Sequence, residues 1–384
     1  MKVAIVGLGF GGGSLALLLW RQGHQVHLWE RAAEPGPVGA GILLQPSGQA
    51  VLERLGLLPQ VLAHSQRFRA LVARNQRGQV FMNLDLDELP TYGLLRGQLF
   101  EPLYSALGQT SVRLLTGREV LDVDPQGYLL DGQGWHGPFD LVVLADGSRS
   151  RLRARVCRPA LDLAYDMGAL WYCGQSRFPG DHLFQVSQGT RHLCGLLPTG
   201  QGGCSFFWAC TPAEYAACVQ DGFDAWKEQV RRLAPEAEEL LQGLDPTRAL
   251  YASYRHTWLP HWHRQHLVLL GDAAHSMSPH LGQGTNLALL DAFCLARSLE
   301  ALPLQQALLR YQKVRQRQLR LYSGLSLLLT PFFQSRPDPG LSLGRDLALP
   351  LMLAVPWLRR AMRQSVYGLR ASWLLGQRSL EELT

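Results

Sequence analysis

Short runs of consecutive apolar residues alternate along this chain with longer stretches in which apolar residues recur every three or four positions. Val3-Ala4-Ile5-Val6, Phe139–Ala145 and Leu267–Leu270 are runs of the first kind. A strand that is apolar at nearly every position is buried on both faces, as in a parallel sheet. Ser14–Arg21, rich in Leu and Ala, predicts a helix that stops at Gly23, and Gln25–Glu30 predicts a second strand. Helices are predicted near Gly48–Leu55 and over 97–107, and a hairpin over 68–85 turning at Gln76-Arg77-Gly78. From 165 to 210 the pattern changes to alternating segments around Leu170–Cys173, Leu183–Val186, His192–Leu197 and Ser205–Ala209, which predict an antiparallel sheet. Helices follow at 212–220, 223–242, 284–300 and 303–328. In the last, Leu308, Tyr311, Leu319, Tyr322 and Leu325 form a stripe interrupted only by Arg315.

Parallel strands thus come from three separate stretches, with an antiparallel sheet between them. The expected fold is α/β: a Rossmann-like nucleotide-binding domain, an inserted antiparallel-sheet domain that takes the substrate, and a C-terminal helical segment. The expected boundaries are 1–66, 94–160 and 262–330 for the first domain, 67–93 and 161–261 for the second, and 331–384 for the extension. A length of 384 residues suits two domains and an appendage.

Composition narrows the class. With 47% hydrophobic and 18% charged residues, the chain is not disordered, collagenous or a coiled coil. The net charge of +6 is concentrated: residues 301–384 hold 12 of the 37 Lys and Arg but only 4 of the 31 Asp and Glu. A nucleic-acid protein would spread its basic face over several elements, so no nucleic-acid partner is expected. The seven Cys show no Cys-x-x-Cys and read as reduced thiols of a cytoplasmic protein. The N-terminal apolar stretch is broken by glycines and is not read as a signal peptide. No uninterrupted apolar run reaches the length of a transmembrane helix.

Three motifs carry chemistry. Gly7-Leu8-Gly9-Phe10-Gly11-Gly12 fits G-x-G-x-x-G between a strand and a helix. Gly7 permits the tight turn, Gly9 lets a pyrophosphate approach the backbone, and Gly12 lets helix and strand pack closely. Glu30, at the end of the second strand, is placed to accept hydrogen bonds from ribose hydroxyls. Asp146-Gly147 follows the strand 139–145, where a turn faces a ligand crevice. Gly271-Asp272-Ala273-Ala274-His275 runs into Pro279-His280-Leu281-Gly282-Gln283-Gly284-Thr285-Asn286. There Asp272 can hold sugar-like hydroxyls, and a helix opening at Gly284 offers N–H groups to negative charge. His275 reads as a structural histidine behind the loop.

These motifs, in this order, resemble the FAD-dependent aromatic hydroxylases, the single-component flavin monooxygenases similar to p-hydroxybenzoate hydroxylase, over about residues 1–330. The resemblance implies FAD as cofactor, NADH or NADPH as reductant, O2 as co-substrate, and hydroxylation of an aromatic or other electron-rich small molecule through a flavin C4a-hydroperoxide. It implies that Gly7, Gly9 and Gly12 form the FAD pyrophosphate turn, and that Glu30, with Arg31 beside it, meets the adenosine ribose. Arg96 corresponds to an arginine that reaches the FAD, and Asp146-Gly147 to a motif serving both FAD and nicotinamide. Gly271-Asp272 corresponds to the ribityl-binding motif. Pro279 and Gly282-Gln283-Gly284, continuing into Thr285 and Asn286, correspond to the loop lining the flavin ring, and Gly39-Ala40-Gly41-Ile42 to a loop beside the flavin. Ser276-Met277-Ser278 departs from the family, which commonly has proline there. The pattern is especially similar to bacterial members acting on quinolones, phenazines and ubiquinone precursors, which points to secondary metabolism.

The remaining features are weaker. His280, Tyr172 and His192 are candidates for a group acting on the substrate. Trp171, Tyr172, Phe206, Phe207 and Trp208 lie in the inserted sheet, where some are expected to line a substrate pocket. His256, His261, His263 and His266 read as a solvated loop, since no Cys or carboxylate completes a zinc set, and no metal site is expected. Leu347–Leu358 with Arg359, Arg360 and Arg363, and then Trp373-Leu374-Leu375, suggest peripheral membrane contact or a greasy substrate. Flavin-dependent halogenation is the second enzymatic reading. It lacks its Trp-x-Trp-x-Ile-Pro motif, and the only lysines are Lys2, Lys227 and Lys313. A flavin reductase and a non-catalytic FAD-binding protein are the others.

Overall fold

The computed structural model describes residues 1–36, 40–178 and 180–370. Gly39 of the flavin-side loop and Trp373-Leu374-Leu375 lie outside the described residues. The three apolar runs meet in one six-stranded sheet, in the order His263–Arg264, Leu267–Leu269, Leu141–Leu144, Lys2–Val6, Gln25–Trp29, Arg113–Leu115. All its pairings are parallel except that of the short edge strand His263–Arg264. Helices Phe10–Arg21 and Gly284–Ala301 pack against each other on this sheet, and the apolar strands are sealed between layers. Burial on both sides explains why no polar residue interrupts Leu141–Leu144.

A seven-stranded sheet stands beside it. Its order is Leu250–Trp258, Leu161–Gln175, Gly203–Cys210, His192–Gly200, His182–Gln188, Ala70–Asn75, Val80–Asp85. The pairings are antiparallel except between His182–Gln188 and Ala70–Asn75. The helices between Pro212 and Gln242 cover one face through Phe206, Trp208, Trp226 and Leu240. A three-stranded sheet, Gly41–Leu44 with Thr91–Leu95 and Gln66–Phe68, lies between the two large sheets.

Several expectations need correction. The helix expected over 223–242 is three pieces, broken at Pro235, which cannot continue an α-helical hydrogen-bond ladder. The long helix runs Leu304–Phe333, past its expected end. Residues 120–136 form a three-stranded antiparallel meander that the pattern did not announce. Of the histidine cluster, His261 is exposed in a loop as expected, whereas His256 is buried in strand Leu250–Trp258 and its Nε2 lies 2.9 Å from Ser323 Oγ.

Arg315, the break in the apolar stripe, is as buried as its neighbours. Its Nε donates to Asp291 Oδ1 at 2.7 Å, while His275 Nε2 lies 2.5 Å from Oδ2 and Gly271 N–H donates to Oδ2 at 3.0 Å. Burial alone would raise the Asp291 carboxyl, but His275 and Arg315 together carry it below the usual carboxylate range. Asp291→Ala strips a fully buried cation of its partner. It is expected to cost about 3–5 kcal/mol, a large share of a typical domain's stability, read as a shift in urea midpoint at unchanged slope.

Candidate functional site

The glycine turn sits where the first strand gives way to the first helix. Gly7 has φ +105°, and a Cβ there would lie 2.5 Å from the Ala145 carbonyl oxygen. A Cβ on Gly12 would lie 2.1 Å from the Gly7 carbonyl oxygen. Both positions are therefore closed to any side chain. Gly9 differs: it is exposed, its backbone is extended, and a Cβ there would meet nothing within 4 Å. The open space over Gly9, at the N-terminus of a 12-residue helix, is where an anion finds free N–H donors.

The other candidates line up along the same carboxyl ends of the parallel strands. Glu30 closes the second strand and accepts from Leu8 N–H at 2.8 Å and Ala32 N–H at 2.9 Å, which leaves lone pairs for further donors. Arg31 is exposed beside it. Asp146 follows Leu141–Leu144 and is largely buried, which raises its carboxyl above the usual range. Its Oδ1 is buried and finds no hydrogen-bond partner among the described residues. Arg153 holds this turn from behind, donating to the Ser148 carbonyl at 2.7 Å, the Gly147 carbonyl at 3.2 Å and Thr257 Oγ1 at 2.8 Å. Gly147 has φ +87°. Arg96 opens helix Arg96–Gly108, and its guanidinium carbon lies 4.8 Å from the Phe10 ring centroid. Burial lowers its pKa, and Asp272 works in the opposite direction.

Gly271-Asp272 turns the chain after Leu267–Leu269, with Gly271 at φ +62° and Asp272 exposed. A Cβ on Gly284 would stand 4.0 Å from Asp272 Oδ1, so the carboxylate and the opening of helix Gly284–Ala301 share one spot. Pro279 is exposed; Gly282 adopts a left-handed conformation, and a Cβ there would lie 2.4 Å from Leu43 Cδ1. Gln283 is buried and donates from Nε2 to the Ser365 and Val366 carbonyls at 3.1 and 2.8 Å, which ties this loop to the C-terminal turn. Thr285 is half-buried at the helix start. Asn286 faces away from the groove: it is fully buried, accepts from Gln45 N–H at 3.0 Å, donates to the Leu43 carbonyl at 2.9 Å and bonds the Gln45 side chain. Its amide is committed to holding strand Gly41–Leu44.

That strand connects the groove to the second sheet. Gly41 N–H donates to Ser205 Oγ at 2.8 Å, and a Cβ on Gly41 would lie 2.5 Å from Ser205 Cβ. Strand alternation then sorts the aromatic residues. Trp171 and Phe207, with ring centroids 5.2 Å apart, share the Ser205 face. Tyr172, Phe206 and Trp208 share the opposite, helix-covered face. Tyr172 is thus removed from the groove, its hydroxyl donating to the Gly243 carbonyl at 2.6 Å. His192, stacked on Trp208 at 5.1 Å, is removed as well. His280 stays close: it follows Pro279, its ring lies 5.9 Å from Phe333, and Nδ1 lies 3.0 Å from Ser278 Oγ. Burial pushes its pKa down to about 4, so the imidazole is neutral, and its buried Nε2 has no partner among the described residues. His275 is the structural histidine expected, paired with Asp291.

Sequence reasoning missed Ser205, Arg153, Asp291 and Gln283's tie to the C-terminal turn. Only Arg315, as the interruption of an apolar stripe, carried a readable signal of the network around Asp291. The groove fits an extended dinucleotide cofactor such as FAD: an open Gly9, an orphaned Asp146 oxygen, and two carboxylates placed for sugar-like hydroxyls.

Residues 1–319 match the family described as FAD binding domain. The chain is 32% identical over 332 residues to the aurachin C monooxygenase/isomerase of Stigmatella aurantiaca, covering 82% of this chain and 85% of the relative. It is 29% identical over 332 residues to a probable 2-heptyl-3-hydroxy-4(1H)-quinolone synthase of Rhodococcus erythropolis, covering 81% and 83%. The structure of Klebsiella pneumoniae HpxO complexed with FAD and uric acid shares the fold, with a TM-score of 0.81 at 21% identity over 96% of this chain and 97% of that one.

Gly9→Ala and Gly12→Ala separate ligand space from folding space. Gly9→Ala is expected to keep wild-type urea stability while weakening FAD retention at least about tenfold. Gly12→Ala is expected to lower both. Equal FAD affinity in Gly9→Ala and wild type, by fluorescence titration of the deflavinated protein, would remove the pyrophosphate from this turn.

Proposed function

The chain belongs to the FAD-binding domain family and is an FAD-dependent aromatic monooxygenase; on that premise we propose that it uses NADH or NADPH to hydroxylate a lipophilic, electron-rich heteroaromatic molecule. The observation that carries this reading is the line of candidate groups along the carboxyl ends of the parallel strands, from the open Gly9 past Asp146 to Asp272 at the Gly284 helix start, with Gly41 bonded to Ser205 on the Trp171 and Phe207 face. In this reading residues 1–66, 94–160 and 262–330 hold FAD, 67–93 with 161–261 hold the substrate, and 331–384 form a C-terminal helical extension. Bound FAD supplies hydride acceptance from the reduced nicotinamide and activation of O2.

The protein's own contributions follow from its residues. The first turn of helix Gly284–Ala301 places a positive dipole end and unpaired N–H groups beside the loop Pro279–Gly284, where they stabilise anionic charge. Gly9 and the first helix hold pyrophosphate; Glu30 and Asp272 accept from hydroxyls; Asp146 takes a donor at its orphaned oxygen. Asn286 and Gln45 fix the strand that faces the ring. Phe207, Leu329 and Phe333, with Trp171 packed on Phe207, exclude water from the substrate side, without which oxygen chemistry is diverted to peroxide. Neutral His280 offers Nε2 as a hydrogen-bond partner to a ring N–H or hydroxyl of the substrate. A quinolone-type ring suits this pairing, in keeping with the quinolone and aurachin relatives.

Asp272→Ala is expected to purify with less FAD than wild type; full FAD content would count against its role. Wild-type holoenzyme is expected to oxidise NADH or NADPH faster with a quinolone, phenol or phenazine from a panel, giving a product one oxygen atom heavier. Stimulated oxidation that yields peroxide alone would mark an effector rather than the substrate. His280→Ala is expected to raise KM more than it lowers kcat. Because burial holds His280 neutral down to about pH 4, the acid limb near pH 6–7 that an exposed histidine would give should be missing from the wild-type pH–rate profile, and its appearance there, lost in His280→Ala, would overturn the neutral assignment.

A further inference from the structure

Helix Pro339–Ala354 carries its charges inward and three of its six leucines outward. Arg345 is 3% exposed and donates to the carbonyls of Gly189 and Phe332, each at 2.9 Å. It pairs with Asp346, which also accepts from Asn75 Nδ2 at 2.9 Å. Leu343, Leu347 and Leu351 project outward at four-residue steps and are 61%, 59% and 69% exposed. Beyond a 104° bend, helix Pro356–Val366 opens with Trp357, 70% exposed, followed by the exposed Arg359 and Arg360. Soluble proteins seldom leave a contiguous apolar face of this kind without a partner.

We propose that this face docks the enzyme onto the surface of an anionic lipid bilayer. Among the described residues no single helix is long and apolar enough to cross a membrane. The 16-residue helix extends about 24 Å, short of a hydrocarbon core of about 30 Å, and the bend turns the chain aside. The geometry is that of a pair lying in the interface, with leucines and tryptophan among the acyl chains and arginines at the headgroups. Charge argues against a second copy as occupant. A two-fold contact through this face would set the arginines of both copies against one another, and the adjoining acids are committed, Asp338 to capping the helix at Leu341 N–H and Glu88 to Arg363. The inner side of the same helix, through Leu349 and Met352, packs in one cluster with Phe207 and Phe333. Docking therefore sets the substrate side of the enzyme against lipid. That use of the surface, though not the docking itself, rests on the lipophilic substrate read above.

The test is flotation of the FAD-loaded enzyme with vesicles of phosphatidylcholine alone or mixed with phosphatidylglycerol. Wild type is expected to float with the mixed vesicles and to be released by salt. Leu347→Glu with Leu351→Glu is expected to lower the bound fraction at least about tenfold, and Arg359→Gln with Arg360→Gln to weaken binding about fivefold per residue. Both pairs should keep bound FAD and full NAD(P)H oxidation with a water-soluble aromatic, which separates failure of docking from failure of the enzymatic reading. The proposal falls if wild type floats with neither vesicle, or if the FAD-loaded glutamate pair floats as well as wild type. It falls equally if sedimentation shows a dimer that the glutamate pair dissolves.

Discussion

A carboxylate sealed from solvent must be matched by donors, and the way Asp291 is matched sets the position of everything on the cofactor-facing side. Its two oxygens gather Arg315 from the long helix, His275 from the turn before the flavin-side loop, and the Gly271 amide itself. Gly271 and His275 belong to one turn and Arg315 to the long helix, so the carboxylate, itself on helix Gly284–Ala301, joins three segments at one point. An unmatched charge there would cost a large part of a domain's whole stability. Gly271 is thereby held in its left-handed conformation, and Asp272, one residue on, is aimed at the start of the helix that carries Asp291.

A second polar weld works nearer the substrate. Asn286, one turn before Asp291 on the same helix, spends its amide on Gln45 and Leu43, and Gly41 in that strand leans on Ser205 of the second sheet. One helix thus fixes Gly271-Asp272 through one residue and strand Gly41–Leu44 through another. The approach between the sheets is close enough that glycine is required at Gly41 and Gly93, where a Cβ would overlap Ser205 or the Pro198 carbonyl.

The sequence made the parallel sheet legible because burial on both faces leaves an unmistakable apolar run, and the glycine turn legible because sterics admit only glycine at Gly7 and Gly12. The inserted sheet was legible as a sheet, but not as to which face meets the groove. Trp171 and Tyr172 are adjacent and chemically similar, and only the location of the helices 212–242 sends one toward the flavin side and the other away. The meander at 120–136 escaped because its strands are short and partly exposed, with Leu121 and Trp135 facing solvent. His256 escaped because a histidine read without its neighbours looks solvated, whereas Ser323, 67 residues later, supplies its partner. Arg315 was visible as an irregularity, yet its meaning required knowing that Asp291 lies opposite.

The bond from Gln283 to the carbonyls of Ser365 and Val366 has a consequence for how the protein comes into being. During synthesis the glycine turn, Glu30, Asp272 and the loop Pro279–Gly284 all leave the ribosome before the segment that fastens that loop. Through that interval the loop lacks the bonds that Gln283 makes to the Ser365 and Val366 carbonyls. The fastening of the loop therefore depends on a segment 82 residues further along the chain, folded back against it.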